Sequence, residues 1–235
     1  MPFKKSKPVK LPKSIPLRAL STLLQYPEPE VISHLTEITQ ALQEIPKLSK
    51  KVKSGLLDFS EHIQSTDLYE LQEEYVECFD RGRATSLHLF EHVHGDSRER
   101  GQAMVDLLQT YKDGGMELSA NELPDHLSVI LEFASTLPLE QSKQFIGEMA
   151  HILNAVYSTL VGRNNRYAWL IAGAIEFSGE NVKIVELKIE EKSMDEEWEE
   201  PPAFDGCSTR GQSKPGEEQT LHFVKPTKEL KGVQP

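Results

Sequence analysis

Phe145-Ile146-Gly147-Glu148-Met149-Ala150-His151-Ile152-Leu153-Asn154-Ala155-Val156-Tyr157-Ser158-Thr159-Leu160 is the stretch that decides the fold. Its larger apolar side chains, Phe145, Met149, Ile152, Leu153, Val156, Tyr157 and Leu160, recur at intervals of three and four. That spacing gathers them on one face of a helix and would scatter them over both faces of a strand. One long helix is predicted over about 140–161.

The same period extends outward in both directions. Tyr167, Leu170, Ile171, Ala174 and Ile175 predict a helix over about 165–177, and Leu127, Ile130, Leu131 and Ala134 one between Pro124 and Pro138. Ser97 is placed as the N-cap of a helix carrying Met104, Leu107, Leu108 and Tyr111, with Gly114-Gly115 as its stop. Asp67, with Glu70 three residues on, opens a helix with Leu68, Leu71, Tyr75 and Phe79. Leu48, Val52, Leu56, Phe59 and Ile63 form a weaker stripe that crosses Gly55. Val31, Ile32, Leu35, Ile38 and Leu42 form another between Pro29 and Pro46. Leu17, Leu20, Leu23 and Leu24 follow a first-turn proline, Pro16, and stop at Pro27. With no strand–helix alternation anywhere, the expectation is all-α: a single-domain bundle of about eight helices over residues 17–178.

The flanks differ in character. Residues 1–16 carry five lysines and no acid, interrupted by Pro8, Pro12 and Pro16, so they read as a disordered basic arm and not as a signal peptide. Residues 179–235 hold one short apolar element around Val182, Ile184, Leu187 and Ile189, as strand or helix. Seven acids among Glu190–Glu200 follow, and then a Gly-, Ser-, Lys- and Pro-rich end. So little apolar surface cannot offset the entropy of ordering a chain, so this is expected to be an acidic, mostly disordered tail. Trp198 and Phe204 are its candidate anchors.

Composition narrows the function. The chain of 235 residues has a net charge of −11, which disfavours sequence-independent binding to nucleic acid. No apolar run approaches the length of a membrane span. Two cysteines, Cys78 and Cys207, make neither a disulfide framework nor a cysteine zinc site, which suits a reducing cytoplasm. No phosphate-cradling glycine loop and no G-x-S-x-G elbow occurs. Cys78, on an apolar helix, reads as packing and not as a nucleophile.

One segment is unlike bundle filler. Between Asp80 and Gly101 lie three of the eight histidines, four arginines and three glycines. Within it, His88-Leu89-Phe90-Glu91-His92 spells H-x-x-E-H, the inverted zinc-peptidase signature. On a helix, His88 and His92 would share a face and Glu91 could act as base on bound water. Gly95 cuts that helix short, and a third ligand would have to come from a residue such as Asp125, His126 or Glu132. A second reading is packing and capping, with Leu87, Leu89 and Phe90 in the core. A third is a recognition surface, in which Arg81, Arg83, Arg98 and Arg100 meet anionic or carbonyl groups and His and Phe supply flat contact area.

The run Tyr75-Val76-Glu77-Cys78-Phe79-Asp80-Arg81-Gly82-Arg83, followed by Ser86-Leu87-His88-Leu89-Phe90-Glu91-His92-Val93-His94-Gly95-Asp96-Ser97-Arg98-Glu99-Arg100-Gly101-Gln102-Ala103-Met104, resembles the NarJ family of nitrate reductase assembly chaperones. Leu23-Leu24-Gln25-Tyr26-Pro27, Glu122-Leu123-Pro124-Asp125-His126-Leu127, Leu131-Glu132-Phe133 and the acidic run Asp195–Pro202 with Phe204 and Cys207 are similar too. The resemblance covers about residues 17–207 and leaves the basic arm without a counterpart.

It implies a cytoplasmic, non-enzymatic chaperone with no cofactor or metal of its own. Its partner would be the apo catalytic (alpha) subunit of respiratory nitrate reductase, including that subunit's N-terminal segment, with contact to the molybdenum cofactor delivery machinery left open. It would keep that subunit competent for molybdenum cofactor and iron–sulfur insertion before membrane docking. The residues expected to form the partner surface are Asp80, Arg81, Arg83, Ser86, Leu87, Phe90, Glu91, His92, His94, Arg98, Arg100, Pro124, Asp125 and His126. An amphipathic partner helix would lie in a groove lined by Leu87 and Phe90, with Arg81, His92, His94 and Arg98 at the rim. Rim histidines would make affinity pH-sensitive. A chaperone for a reductase of the dimethyl sulfoxide or trimethylamine oxide type is the alternative, and an H-x-x-E-H zinc peptidase a more distant one.

Overall fold

The architecture was read from a computed structural model, which describes residues 13–95, 97–119 and 122–185. The predicted helices form, and two of them divide. In chain order the elements are α1 (Ile15–Leu23), α2 (Pro29–Ser33), α3 (Leu35–Gln43), α4 (Lys50–Ser65), α5 (Leu68–Phe79), a 3-10 turn (Arg83–Thr85), α6 (Leu89–His94), α7 (Arg98–Asp113), α8 (Leu127–Ser135), α9 (Leu139–Gly147), α10 (Ala150–Gly162) and α11 (Ala168–Ser178). Among the described residues no strand forms, and no helix is long and apolar enough to cross a membrane. The basic arm and the acidic tail lie outside the described residues, apart from Lys13–Pro16 and residues 179–185.

The stretch that decides the fold is two helices, not one. α9 ends at Gly147, and α10 restarts after Glu148 and Met149. On either side of the break, Ile146 and the α10 face Ile152, Leu153, Val156, Tyr157 and Leu160 are all buried. The stripe between Pro29 and Pro46 bends likewise at His34, which closes α2 and opens α3. The short α2 buries none of its own residues, whereas α3 turns Leu35, Ala41 and Leu42 into the core.

α11 lies at the centre, packed against α1, α4, α9 and α10. It can do so because Ala, Gly, Leu and Ile cover nearly every side of it. Gly55 of α4 makes the approach possible there: a Cβ at Gly55 would sit 2.1 Å from the Trp169 ring. The glycine that weakens the Leu48–Ile63 stripe in sequence is the socket for an indole.

α11 ends on Gly179 at φ +91°, the left-handed conformation that glycine adopts freely. Residues 180–185 then run without regular structure along α10, neither strand nor helix. Asn154 Oδ1 accepts from the Lys183 N–H at 2.6 Å, and Ser158 Oγ accepts from the Val185 N–H at 2.8 Å. Asn154 Nδ2 also donates to the Asn181 carbonyl at 3.4 Å. Only Val182 of this strap packs on the core, and Ile184 stays exposed.

Candidate functional site

Asp67 caps α5 as expected, accepting from the Tyr69 N–H at 2.9 Å. α5 delivers the chain to the Asp80–Arg83 turn, and the 3-10 turn that follows is anchored by Thr85, whose buried hydroxyl donates to the Cys78 carbonyl. Cys78 is buried, and desolvation pushes its thiol up to about 12, so it is a packing residue.

Beyond Thr85 the unusual segment meets a loop 37 residues downstream. The Leu127 N–H donates to the Leu87 carbonyl at 2.8 Å and the Leu89 N–H to the Asp125 carbonyl at 3.0 Å, an antiparallel bridge between His88 and His126. This backbone clamp sets Asp125, fully buried, at the centre of a polar network. The His88 Nδ1–H donates to Asp125 Oδ1 at 3.2 Å, and Arg100 Nη2 donates to Oδ2 at 3.3 Å. Arg100 Nη1 also pairs with Glu91 at 3.1 Å, while the Ser86 hydroxyl donates to the other Glu91 oxygen at 2.6 Å. His92 Nε2 donates to the Ser86 carbonyl at 2.8 Å.

The electrostatics follow from those partners. Burial by itself raises the Asp125 pKa, but the His88 hydrogen bond, the His88 and Arg100 charges and the Phe90 backbone N–H outweigh it and hold the carboxyl below its usual range. His126 goes the other way for an imidazole: burial and neighbouring His88 push it down to about 4, against a pull upward from Asp125 and Glu122. It is therefore neutral around pH 7. Its Nδ1 accepts from the Ser128 N–H at 3.3 Å and caps α8. The His88 and His126 rings meet edge to face with centroids 5.0 Å apart.

This arrangement corrects several expectations. His88 precedes α6 instead of lying in it, so His88 and His92 are not one turn apart on a helical face. One ring nitrogen of each, His88 Nδ1 and His92 Nε2, is engaged by Asp125 and the Ser86 carbonyl, and the Glu91 carboxylate pairs with Arg100. Among the described residues no group of three or more His, Cys, Asp or Glu side chains is placed to hold a metal ion. Ser97 stands at the N-cap of α7 but its side chain makes no capping bond. Leu87 points into the core at 3% exposure and cannot line an open groove; Ser86, Pro124 and Asp125 are buried as well. Phe90 is half-buried, its ring edge-on to His94 at 5.9 Å. Asp80, Arg81, Arg83 and Arg98 are exposed, and Arg81 turns to a different cleft, beside Arg163.

What the network positions is a groove of about 490 Å³ between the turn after α1 and the turn before α8. His88 and His126 face it, Tyr26 and Leu123 stand exposed at its sides, and Glu28 and Glu122 supply its charge. Tyr26, Glu28, Glu122, Leu123 and Val129 were not singled out in sequence as groove residues. Tyr26 and the Glu122–Leu123 pair do stand in the family-like runs, and that was the available signal. α7 is tied to this site by Arg100 and by Tyr111, whose buried hydroxyl donates to the Pro124 carbonyl at 2.7 Å.

Comparison with known proteins agrees with this picture. The model of the family described as nitrate reductase delta subunit matches residues 39–168. The chain is 40% identical to the nitrate reductase molybdenum cofactor assembly chaperone NarJ of Escherichia coli K12, over 80% of this chain and 79% of that one. It is 35% identical to the probable nitrate reductase molybdenum cofactor assembly chaperone NarW of the same strain, over 78% and 80% of the two chains. To the probable chaperone NarJ of Bacillus subtilis it is 31% identical, over 68% of this chain and 85% of that one. With the family model spanning more than half its length and these relatives aligned along most of the bundle, the chain belongs to the nitrate reductase delta subunit family of assembly chaperones.

Proposed function

We propose that this protein is the dedicated assembly chaperone of a respiratory nitrate reductase. It binds the apo catalytic subunit in the cytoplasm, in part through that subunit's N-terminal segment, and keeps it open to molybdenum cofactor and iron–sulfur insertion before membrane docking. It acts by binding and not by turnover. The observation that carries the reading is the 40% identity, over four-fifths of the chain, to a protein named for that task.

The groove gives the reading a physical form. Tyr26, Val31, Leu123 and Val129 offer an apolar lining to one face of a helical segment. Glu28 and Glu122 at the edges favour a segment that also carries Lys or Arg. The buried Asp125 network holds His88 and His126 in place, so little ordering entropy is lost there on binding. In this reading Asp125, Ser86, Arg100 and Glu91 position the surface, and His88, His126, Tyr26 and Leu123 touch the partner. His92, His94 and Arg98 extend the surface along α6 and the start of α7.

Co-expression tests the function directly. Molybdenum per nitrate reductase should fall severalfold when the chaperone gene is deleted, and unchanged metal content would overturn the proposal. Calorimetry tests the surface. Leu123→Asp should weaken binding of the catalytic subunit's N-terminal peptide about tenfold or more. The triple alanine variant of His92, His94 and Arg98 should weaken it less. Unaltered affinity in both variants would remove the site from the groove while leaving the chaperone function standing.

A further inference from the structure

A second cleft, with no residue in common with the peptide groove, opens between the end of α5 and the turn joining α10 to α11. Its volume is about 690 Å³, and Arg81, Arg163 and Arg166 all line it. We propose that it binds a phosphorylated small molecule through a diphosphate group held between Arg81 and Arg163. This goes beyond the chaperone reading and does not depend on it.

Charge is the first observation. In a chain of net charge −11, cations are expected to be neutralised by nearby carboxylates. Arg166 is, by Asp58 at 3.2 Å. Among the described residues neither the Arg81 nor the Arg163 guanidinium meets a carboxylate. Of the two acids lining the cleft, Glu74 is engaged by His62 at 2.7 Å, which leaves Glu77 against two unpaired cations.

Geometry is the second. A Cβ at Gly82 would lie 4.0 Å from Arg163 Nη2, so the Arg163 guanidinium rests beside the very turn that carries Arg81. Both cations border the cleft with Glu77 as the one lining carboxylate not otherwise engaged, so a bound anion would supply the counter-charge they lack. Asn164, at φ +52°, reverses the chain tightly enough that Arg163 and Arg166 both line the same cleft. Both Asn164 and Asn165 border it as well.

The ligand class follows from the donors. One carboxylate satisfies one guanidinium fork, whereas a diphosphate presents two groups of acceptor oxygens at a separation that two forks can share. The cleft volume falls within the range of pockets that enclose nucleotide-sized molecules.

Isothermal calorimetry of the full chain with inorganic pyrophosphate tests the proposal, with malonate as the dicarboxylate comparison. One-site binding of pyrophosphate is expected, weakened about tenfold or more by Arg81→Ala and again by Arg163→Ala. Arg81→Lys, which keeps the charge and loses the fork, should fall between wild type and Arg81→Ala, and thermal melts establish that each variant is folded. No binding at millimolar pyrophosphate, tighter binding of malonate, or unchanged affinity in the folded Arg81→Ala/Arg163→Ala double variant would overturn it.

Discussion

Helices α7 and α11 belong to one bundle and are held in it by different balances of apolar and polar contact. α11 buries eight of its eleven residues, and its neighbours press on it from several sides. α7 is longer, at sixteen residues, and buries only Tyr111. The first is fixed by apolar contact area, which is spread over many atoms and fails all at once. The second has a small apolar anchor, Tyr111 and Leu107 against Val129 and Phe133, and otherwise rests on a few directed polar links, Arg100 to Asp125 and Glu91 and Tyr111 to Pro124, each of which can be cut separately. A chaperone needs both kinds of attachment: a core that persists, and a surface layer that can yield to a client without unfolding the rest.

That contrast can be broken experimentally. The largest effect is expected from Ile171→Ala, at a fully buried site on α11, which should cost about 2–5 kcal/mol in urea unfolding, with every probe shifting together. Asp125→Asn removes the charge under Arg100 and should cost about 3 kcal/mol, at the lower end for a broken buried pair because Glu91 still meets Arg100. Here hydrogen exchange is the discriminating measurement. Amides of α6 and α7 should lose protection while those of α11 keep theirs, and equal loss in both would abolish the distinction.

Acidification acts on the same side of the molecule. His126 takes its proton at about 4 when folded and near 6.5 when unfolded, so between those values the unfolded chain binds more protons and stability falls as pH falls. Asp125, its pKa lowered in the fold, adds its own loss only as pH drops below the ordinary 3.8. His126→Gln should therefore flatten the decline between pH 6.5 and 4, as read from urea midpoints. Tyr111→Phe sharpens the comparison further, since it removes one hydrogen bond and should cost about 1 kcal/mol, felt mostly in α7. The smallest effect belongs to Val105→Ala on the exposed face of α7, within about 0.5 kcal/mol.

The sequence was most legible where one local rule decides the outcome. The three-and-four spacing found every major helix, Asp67 announced a cap, and Pro16 announced a start. It was least legible where direction depends on distant partners. Nothing in the run from Phe145 to Leu160 says that the helix must break at Glu148-Met149, because both halves carry the same period. The site behaved similarly. Its richness in His and Arg was visible, but Asp125 became its hub only through a backbone bridge between His88 and His126, far apart in sequence, and Leu87 went inward because that bridge faces it to the core. The arginine cleft went unremarked: Arg163-Asn164-Asn165-Arg166 reads as an ordinary polar linker until Arg81 is seen beside it.

The strap along α10 carries one more consequence. Four residues of helix rise about 6 Å and two of extended chain about 6.6 Å, so Asn154 and Ser158 match the spacing of alternate main-chain amides. Such a hold is blind to spelling. Ile184 can drift to almost any residue at little expense, whereas inserting a single amino acid after Lys183 would shift the frame and present Ser158 with the wrong group.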